Sequence, residues 1–234
     1  MKIWFKEAGI KKEIKTYRVL TSESQSDINL MHFADNMKYP IYFLDFESIQ
    51  PAIPRYKKTK PYQQIPFQYS LHIQQADYTV SHQEFLADPT KDFRLELLKN
   101  LLRHTEGKGT ILTYNKSFEV GRLRELAQQF PDYEEEIFDR VIRVKDLMDI
   151  FRNRHFYHHE MKGSYSIKKV LPILVPELSY KGLHINEGGT ASITFEQLTK
   201  MNPMEANYKR EQLLEYCKMD TIAMVCILKV LRNL

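Results

Sequence analysis

Apolar and polar positions change period several times along this chain, and the changes mark out its elements. Residues 41–47 read as a buried strand, and residues 67–75 and 81–86 as two more, the last two joined by a polar turn around Asp77. Residues 92–104 shift to helical spacing, with Phe93, Leu95, Leu97, Leu98, Leu101 and Leu102 on the apolar side. A fourth strand is predicted over 109–114, then helices over 117–130 and 133–142 split by Pro131, and a short strand over 141–146. A short helix over 166–171 is expected to end at Pro172. Residues 173–205 look loop-rich, with Gly188-Gly189 as a turn, and 209–232 form a long closing helix. Three adjacent strands, a helix, a strand and then helices make an α/β pattern with a mixed sheet.

Three of these elements carry a carboxylate where an apolar residue is expected. Strand residues alternate between faces, so Ile41, Phe43, Asp45 and Glu47 share one side, the two acids on Cα atoms roughly 6.6 Å apart. In the closing helix Leu213, Cys217, Asp220, Met224, Ile227 and Leu231 fall on one stripe, with Asp220 at its centre and Tyr216 one turn earlier at its edge. In the helix over 117–130, Glu119, Leu123, Leu126 and Phe130 make a second stripe, and Asn115 lies one turn before Glu119. Each has an ordinary explanation: a strand end reaching solvent, a core Asp bound to Arg or backbone, a first-turn Glu complementing the helix dipole. All three together need several buried cations, and no Lys or Arg occupies the matching stripes. Oxygen-only ligation favours Mg2+ or Mn2+. Without metal, a site this acidic would repel phosphate.

Bulk properties narrow the picture further. At 234 residues, with 43% apolar and 27% charged positions, the chain suits one ordinary globular domain. Apolar runs are too short to span a membrane, and residues 1–7 are too charged for a secretory signal, so a cytoplasmic address is expected. Net charge is +4, but residues 1–20 hold six cations against two acids, which leaves the remainder neutral overall. A nucleic-acid groove therefore has to come from local arrangement rather than from a global field. Residues 1–30 read as a basic extension and polar linker, and 31–234 as the folded domain. Cys217 and Cys226 lie nine apart on one helix, about 13 Å, which is too far for a disulfide.

The ordered motifs resemble a known family. Asp45-Phe46-Glu47 looks like the first motif of the DEDD, or DnaQ-like, 3′–5′ exonuclease superfamily. Asn115-Lys116-Ser117-Phe118-Glu119 is similar to the second motif, which normally ends in Asp, and Tyr216-Cys217-Lys218-Met219-Asp220 to the third motif of the tyrosine subtype. Residues 163–172 also resemble a bacterial domain family of unknown function placed in that superfamily. The resemblance implies a ribonuclease H-like mixed sheet flanked by helices, and a two-metal nuclease holding two Mg2+ or Mn2+ ions. Asp45 would bridge both ions, Glu47 and Asp220 would complete the first shell, Glu119 would hold the second ion, and Tyr216 would orient the attacking water. Glu119 is one methylene longer than the family's Asp, a misplacement that costs about 10²-fold in rate unless compensated.

Expected partners are a DNA or RNA substrate and a nuclease or helicase domain. Lys57 and Lys58, in an aromatic-rich loop after the first motif, and Ser166, Lys168 and Lys169, at a helix start, are candidate nucleic-acid contacts together with Asn115. A solvated charge run and plain helix capping are the ordinary readings of those two segments. His155 and His159 have the spacing of a helical zinc pair, but Phe156 stands where a zinc protease carries its Glu, so a solvated cluster is expected. Asp146 ranks below the four acids. Two rival functions stay open: a module of the same fold that binds nucleic acid or scaffolds without turnover, and a restriction-type endonuclease. The latter needs a Lys where Ile49 stands.

Overall fold

A computed structural model describes Phe33 and residues 36–233. The basic segment 1–20 and the linker 21–27 lie outside the described residues. Five strands form one mixed sheet: β1 (Ile41–Ile49), β2 (Ile65–Gln74), β3 (Val80–Leu86), β4 (Ile111–Thr113) and β5 (Val144–Asp146), in the order β3-β2-β1-β4-β5. The first three pair antiparallel as a meander, while β4 and β5 run parallel to β1. Helices α1 (Arg94–His104), α2 (Lys116–Gln129), α3 (Glu134–Val141), α4 (Asp149–Arg152), α5 (Ile167–Leu174), α6 (Gly188–Gln197) and α7 (Pro203–Leu231) flank it. This five-stranded mixed sheet between helices is the ribonuclease H-like type of fold that the motifs imply.

Alternation along β1 divides the core. Tyr42, Leu44 and Phe46 pack with Leu97, Leu101, Leu123 and Ile137 of α1, α2 and α3. Ile41 and Phe43 face the other way, into a cluster with Val170 and Leu171 of α5 and Met224, Ile227 and Leu231 of α7. At the far end, Ile49 and Phe67 join Phe195 of α6 and Leu213 of α7, and the Phe67 and Phe195 rings stack 4.1 Å apart. Gly109 leads into β4 where the chain brushes Pro40, and a Cβ there would lie 1.7 Å from the Pro40 carbonyl oxygen.

Three expectations are corrected. Pro172 lies inside α5 rather than ending it. It removes one N–H, but Ile173 and Leu174 gain burial in the core by continuing the helix. Gly188-Gly189 is the first turn of α6, not a loop turn, and Ala191 and Phe195 bury that helix against the sheet. The closing helix starts at Pro203, with Pro at its first position and the Asn202 side chain accepting the Glu205 N–H at 3.0 Å.

Candidate metal centre

Where β1 passes under the middle of α7, the apolar face of the strand gives way to acids. Asp45 and Glu47 continue the side begun by Ile41 and Phe43, and Asp220 meets them from the helix stripe of Leu213, Cys217, Met224, Ile227 and Leu231, all of which are buried. One ligand oxygen from each of Asp45, Glu47 and Asp220 lies within 4.8 Å of the others. Glu47 and Asp220 are each only 8% exposed. Glu119, in the first turn of α2, is 2% exposed, and its Oε2 has no hydrogen-bond partner among the described residues. It lies within electrostatic range of Asp45 and Asp220 but outside the compact group of three. No ion pair to any of the four forms among the described residues.

Burial raises every one of these acids, and like charge adds to the rise at Asp45, Glu47 and Glu119. Desolvation first, and then the Asp220 charge, push Glu47 up to about 8. Desolvation also lifts Glu119 to about 8 and Asp220 to about 6. Asp45, facing Asp220, Glu47 and Glu119 at once, is held well above the usual carboxylate range. Groups this desolvated and this close to like charge are costly unless they share a proton or a cation. An orphaned carboxylate oxygen beside three clustered ones is the donor set that a hard divalent ion takes. The residues present fit such an ion.

Two tyrosines and a lysine close the site. Tyr216, one turn before Asp220 on α7, is buried, with its ring beside the acids. Tyr180 donates its hydroxyl to Asp220 Oδ1 at 2.5 Å. Nothing in the sequence marks Tyr180, which sits in the stretch read as loop and meets Asp220 only through the fold. The Lys168 ammonium donates to the Asn186 carbonyl and to Tyr216 Oη, the latter at 3.3 Å. The Gly188 turn also approaches the acids: a Cβ there would meet Glu47 Oε2 at 3.4 Å.

Other candidates fall elsewhere. Asn115 occupies the N-cap position of α2 at φ 126° without a side-chain bond to the helix backbone, its Oδ1 accepting from Ser117 Oγ at 2.6 Å. Asp146 is a junction residue, accepting the backbone N–H groups of Asn115, Lys116 and Met148 at 3.0–3.1 Å, yet it stays close enough to Glu119 for its charge to raise that acid more than Asp220 does. Lys58 donates to the Gln129 carbonyl, at the end of α2 roughly 15 Å along the helix from Glu119. The Lys57 carbonyl accepts from Arg94 of α1. That loop is therefore tied to the α1–α2 side. Ser166 precedes α5 without a side-chain capping bond, and Lys169 is exposed. His155 and His159 do not share a helix: the former lies in a bend and the latter in a short 3-10 turn. Both cysteines are free, and the Cys217 thiol lies 3.5 Å from Asp45 Oδ2.

A second buried polar cluster adjoins the first. Ser70 Oγ lies 2.7 Å from Thr221 Oγ1 and 2.9 Å from His82 Nε2, and His72 Nδ1 lies 2.7 Å from the same threonine oxygen. Desolvation lowers His72 to about 3 and His82 to about 4, so both are neutral.

Residues 42–166 match the profile of a family described as a domain of unknown function, DUF2779. Among curated proteins, the chain is 28% identical over 218 residues to an uncharacterized protein of Mycoplasma genitalium, covering 84% of this chain and 32% of that protein. It is 29% identical over 225 residues to one of Ureaplasma parvum, covering 83% and 31%. A Mycoplasma pneumoniae homologue of the first is 30% identical over 210 residues, covering 80% and 31%. The chain thus spans about a third of the length of these relatives. No solved structure matches it. No helix among the described residues is long and apolar enough to cross a membrane.

Proposed function

The chain belongs to the DUF2779 family, and from its acidic site we propose that it is a divalent-metal-dependent nuclease of the DEDD type, removing nucleotides from the 3′ end of DNA or RNA. One observation carries this reading: three carboxylates from two elements converge within 4.8 Å without an ion pair, beside a fourth that has a buried, unpartnered oxygen. Asp45, Glu47 and Asp220 would hold one Mg2+ or Mn2+ ion, and Asp45 with Glu119 a second. Such ions activate water near neutral pH and stabilise the attacking and leaving oxygens of an in-line displacement. The chain's own part is positioning. β1 fixes Asp45 and Glu47 on a rigid strand, and the Tyr180 hydroxyl holds the rotation of the Asp220 carboxylate. Tyr216 would orient the attacking water, the role that the resemblance to the tyrosine subtype implies.

The position of Glu119 outside the compact group favours one alternative, a domain that binds nucleic acid and metal but no longer turns over. The restriction-type endonuclease has less to stand on, since Ile49 is buried in an apolar cluster. The test is Mn2+-dependent release of labelled nucleotides from single-stranded DNA and RNA, by wild type, Asp45→Asn, Glu119→Gln and Glu119→Asp. Stepwise products from wild type that vanish in Asp45→Asn and Glu119→Gln are expected. Gain of activity in Glu119→Asp alone would mean the natural site is impaired. Mn2+ binding with no cleavage by any variant would decide for the binding module.

A further inference from the structure

The carboxylates lack an ion pair, yet one cation stands over the two tyrosines that flank Asp220. Lys168 lies in the first turn of α5 with much of its side chain exposed, but its ammonium turns inward. It donates to the Asn186 carbonyl and to Tyr216 Oη, and it sits over two rings, 5.3 Å from the centre of Tyr216 and 5.4 Å from that of Tyr180. Those tyrosines flank Asp220, one donating to it and the other a turn before it. A surface lysine loses substantial side-chain entropy when it is held in one place. Two acceptors and two aromatic faces offset that loss here, so the position is specified by the fold. It faces the ring of Tyr180, whose hydroxyl donates to Asp220 Oδ1, so a single side chain separates the ammonium from the cluster. The helix stripes offer these acids no cation, and α5 supplies one.

An ammonium at this spot and a divalent ion among the carboxylates draw on the same negative charge and repel one another. Resting on the metal-site reading above, we propose that Lys168 is a tethered counter-ion, which steadies the acidic cluster in the metal-free protein and competes with divalent metal for it. The carboxylates are then preassembled before metal arrives, and metal affinity is lower than they alone would give. Lys168 is a positioning residue in this view. Glutamine in its place keeps a donor for Asn186 and Tyr216 while removing the charge, and arginine keeps the charge.

The measurement is calorimetric Mn2+ affinity for wild type, Lys168→Gln and Lys168→Arg, joined to thermal unfolding in chelator of Lys168→Gln, Asp220→Asn and the double variant. Lys168→Gln should bind Mn2+ about threefold to tenfold more tightly, with Lys168→Arg near wild type. In chelator Lys168→Gln should melt lower than wild type, and the deficit should shrink by more than half in the Asp220→Asn background. Equal or weaker Mn2+ binding by Lys168→Gln, with wild type still binding, would overturn the competition and leave the metal site standing. No Mn2+ binding by wild type would instead overturn the metal reading and the competition with it. In that event a persistent coupling of Lys168 to Asp220 in chelator would still support the counter-ion role, and its absence would overturn that too.

Discussion

Two polar clusters lie side by side under α7, one at Asp220 and the other at its neighbour Thr221, and they handle burial in opposite ways. Around Thr221, Ser70, His72 and His82 are linked by hydrogen bonds of 2.7–2.9 Å, and each histidine stays neutral. Around Asp220, acids face acids, their protons are held to unusually high pH, and Glu119 keeps a buried oxygen with no partner. A closed network of neutral groups recovers its desolvation cost internally and rigidifies the sheet–helix contact. An open cluster of like charges does not, and it stays costly unless its acids hold protons or a cation balances them. What separates the clusters is not burial but whether the buried charge is balanced.

The largest effects should separate the clusters by what each loses. Asp45→Ala and Asp220→Ala should abolish metal-dependent cleavage, while the metal-free variants melt no lower than wild type, because each removes a repulsion. A melting temperature several degrees lower would show that the carboxylate holds the fold together. Thr221→Val should do the reverse. It leaves Ser70 and His72 short of a buried partner, a cost of about 1–3 kcal/mol, or about 2–10 °C for a domain of this size, with Mn2+ affinity kept within about twofold. Loss of Mn2+ binding in folded Thr221→Val would erase the distinction between the two clusters.

The open cluster was largely legible in the sequence, and the closed one was not. Asp220 interrupts an apolar stripe of period 3.6, and Asp45 and Glu47 interrupt an apolar strand face, so pattern alone marks them as out of place. Glu119 reads as buried for the same reason, but its offset from the other three needs coordinates. On β2, Gln68, Ser70, His72 and Gln74 alternate with Phe67, Tyr69, Leu71 and Ile73, which ordinarily signals a face open to water. Here α7 covers that face, and all four polar residues are buried. Alternation records that two faces differ, not what covers either one. Tyr180 escapes local pattern, and Lys168 reads only as a helix-start phosphate contact, because their contacts are with Asp220 and Tyr216, some 40 and 48 positions away in sequence. The helix starting at Gly188-Gly189 was hidden by glycine's ordinary role in turns.

The smallest expected effect is a pH dependence in which the clusters pull in opposite directions. Glu47 and Glu119 are raised to about 8 and Asp220 to about 6. Acids raised on folding give their full contribution below the unfolded range near pH 4, and lose it as pH climbs through 6 to 8. His72 and His82 are lowered to about 3 and about 4. Bases lowered on folding contribute fully above pH 6.5 and lose it as pH falls toward 3. Between pH 6.5 and 8 the folded histidines are neutral and the unfolded ones shed only their last half proton, so the acids dominate the response. In chelator the melting temperature should therefore fall by a few degrees across that window, about 1 kcal/mol or more of lost stability. Glu47→Gln should flatten the slope, and saturating Mn2+ should reverse it, because metal binds the deprotonated carboxylates that high pH supplies. A melting temperature that is flat or rising from pH 6.5 to 8 in chelator would mean the acids are already balanced within the protein, and the contrast between the two clusters would fail.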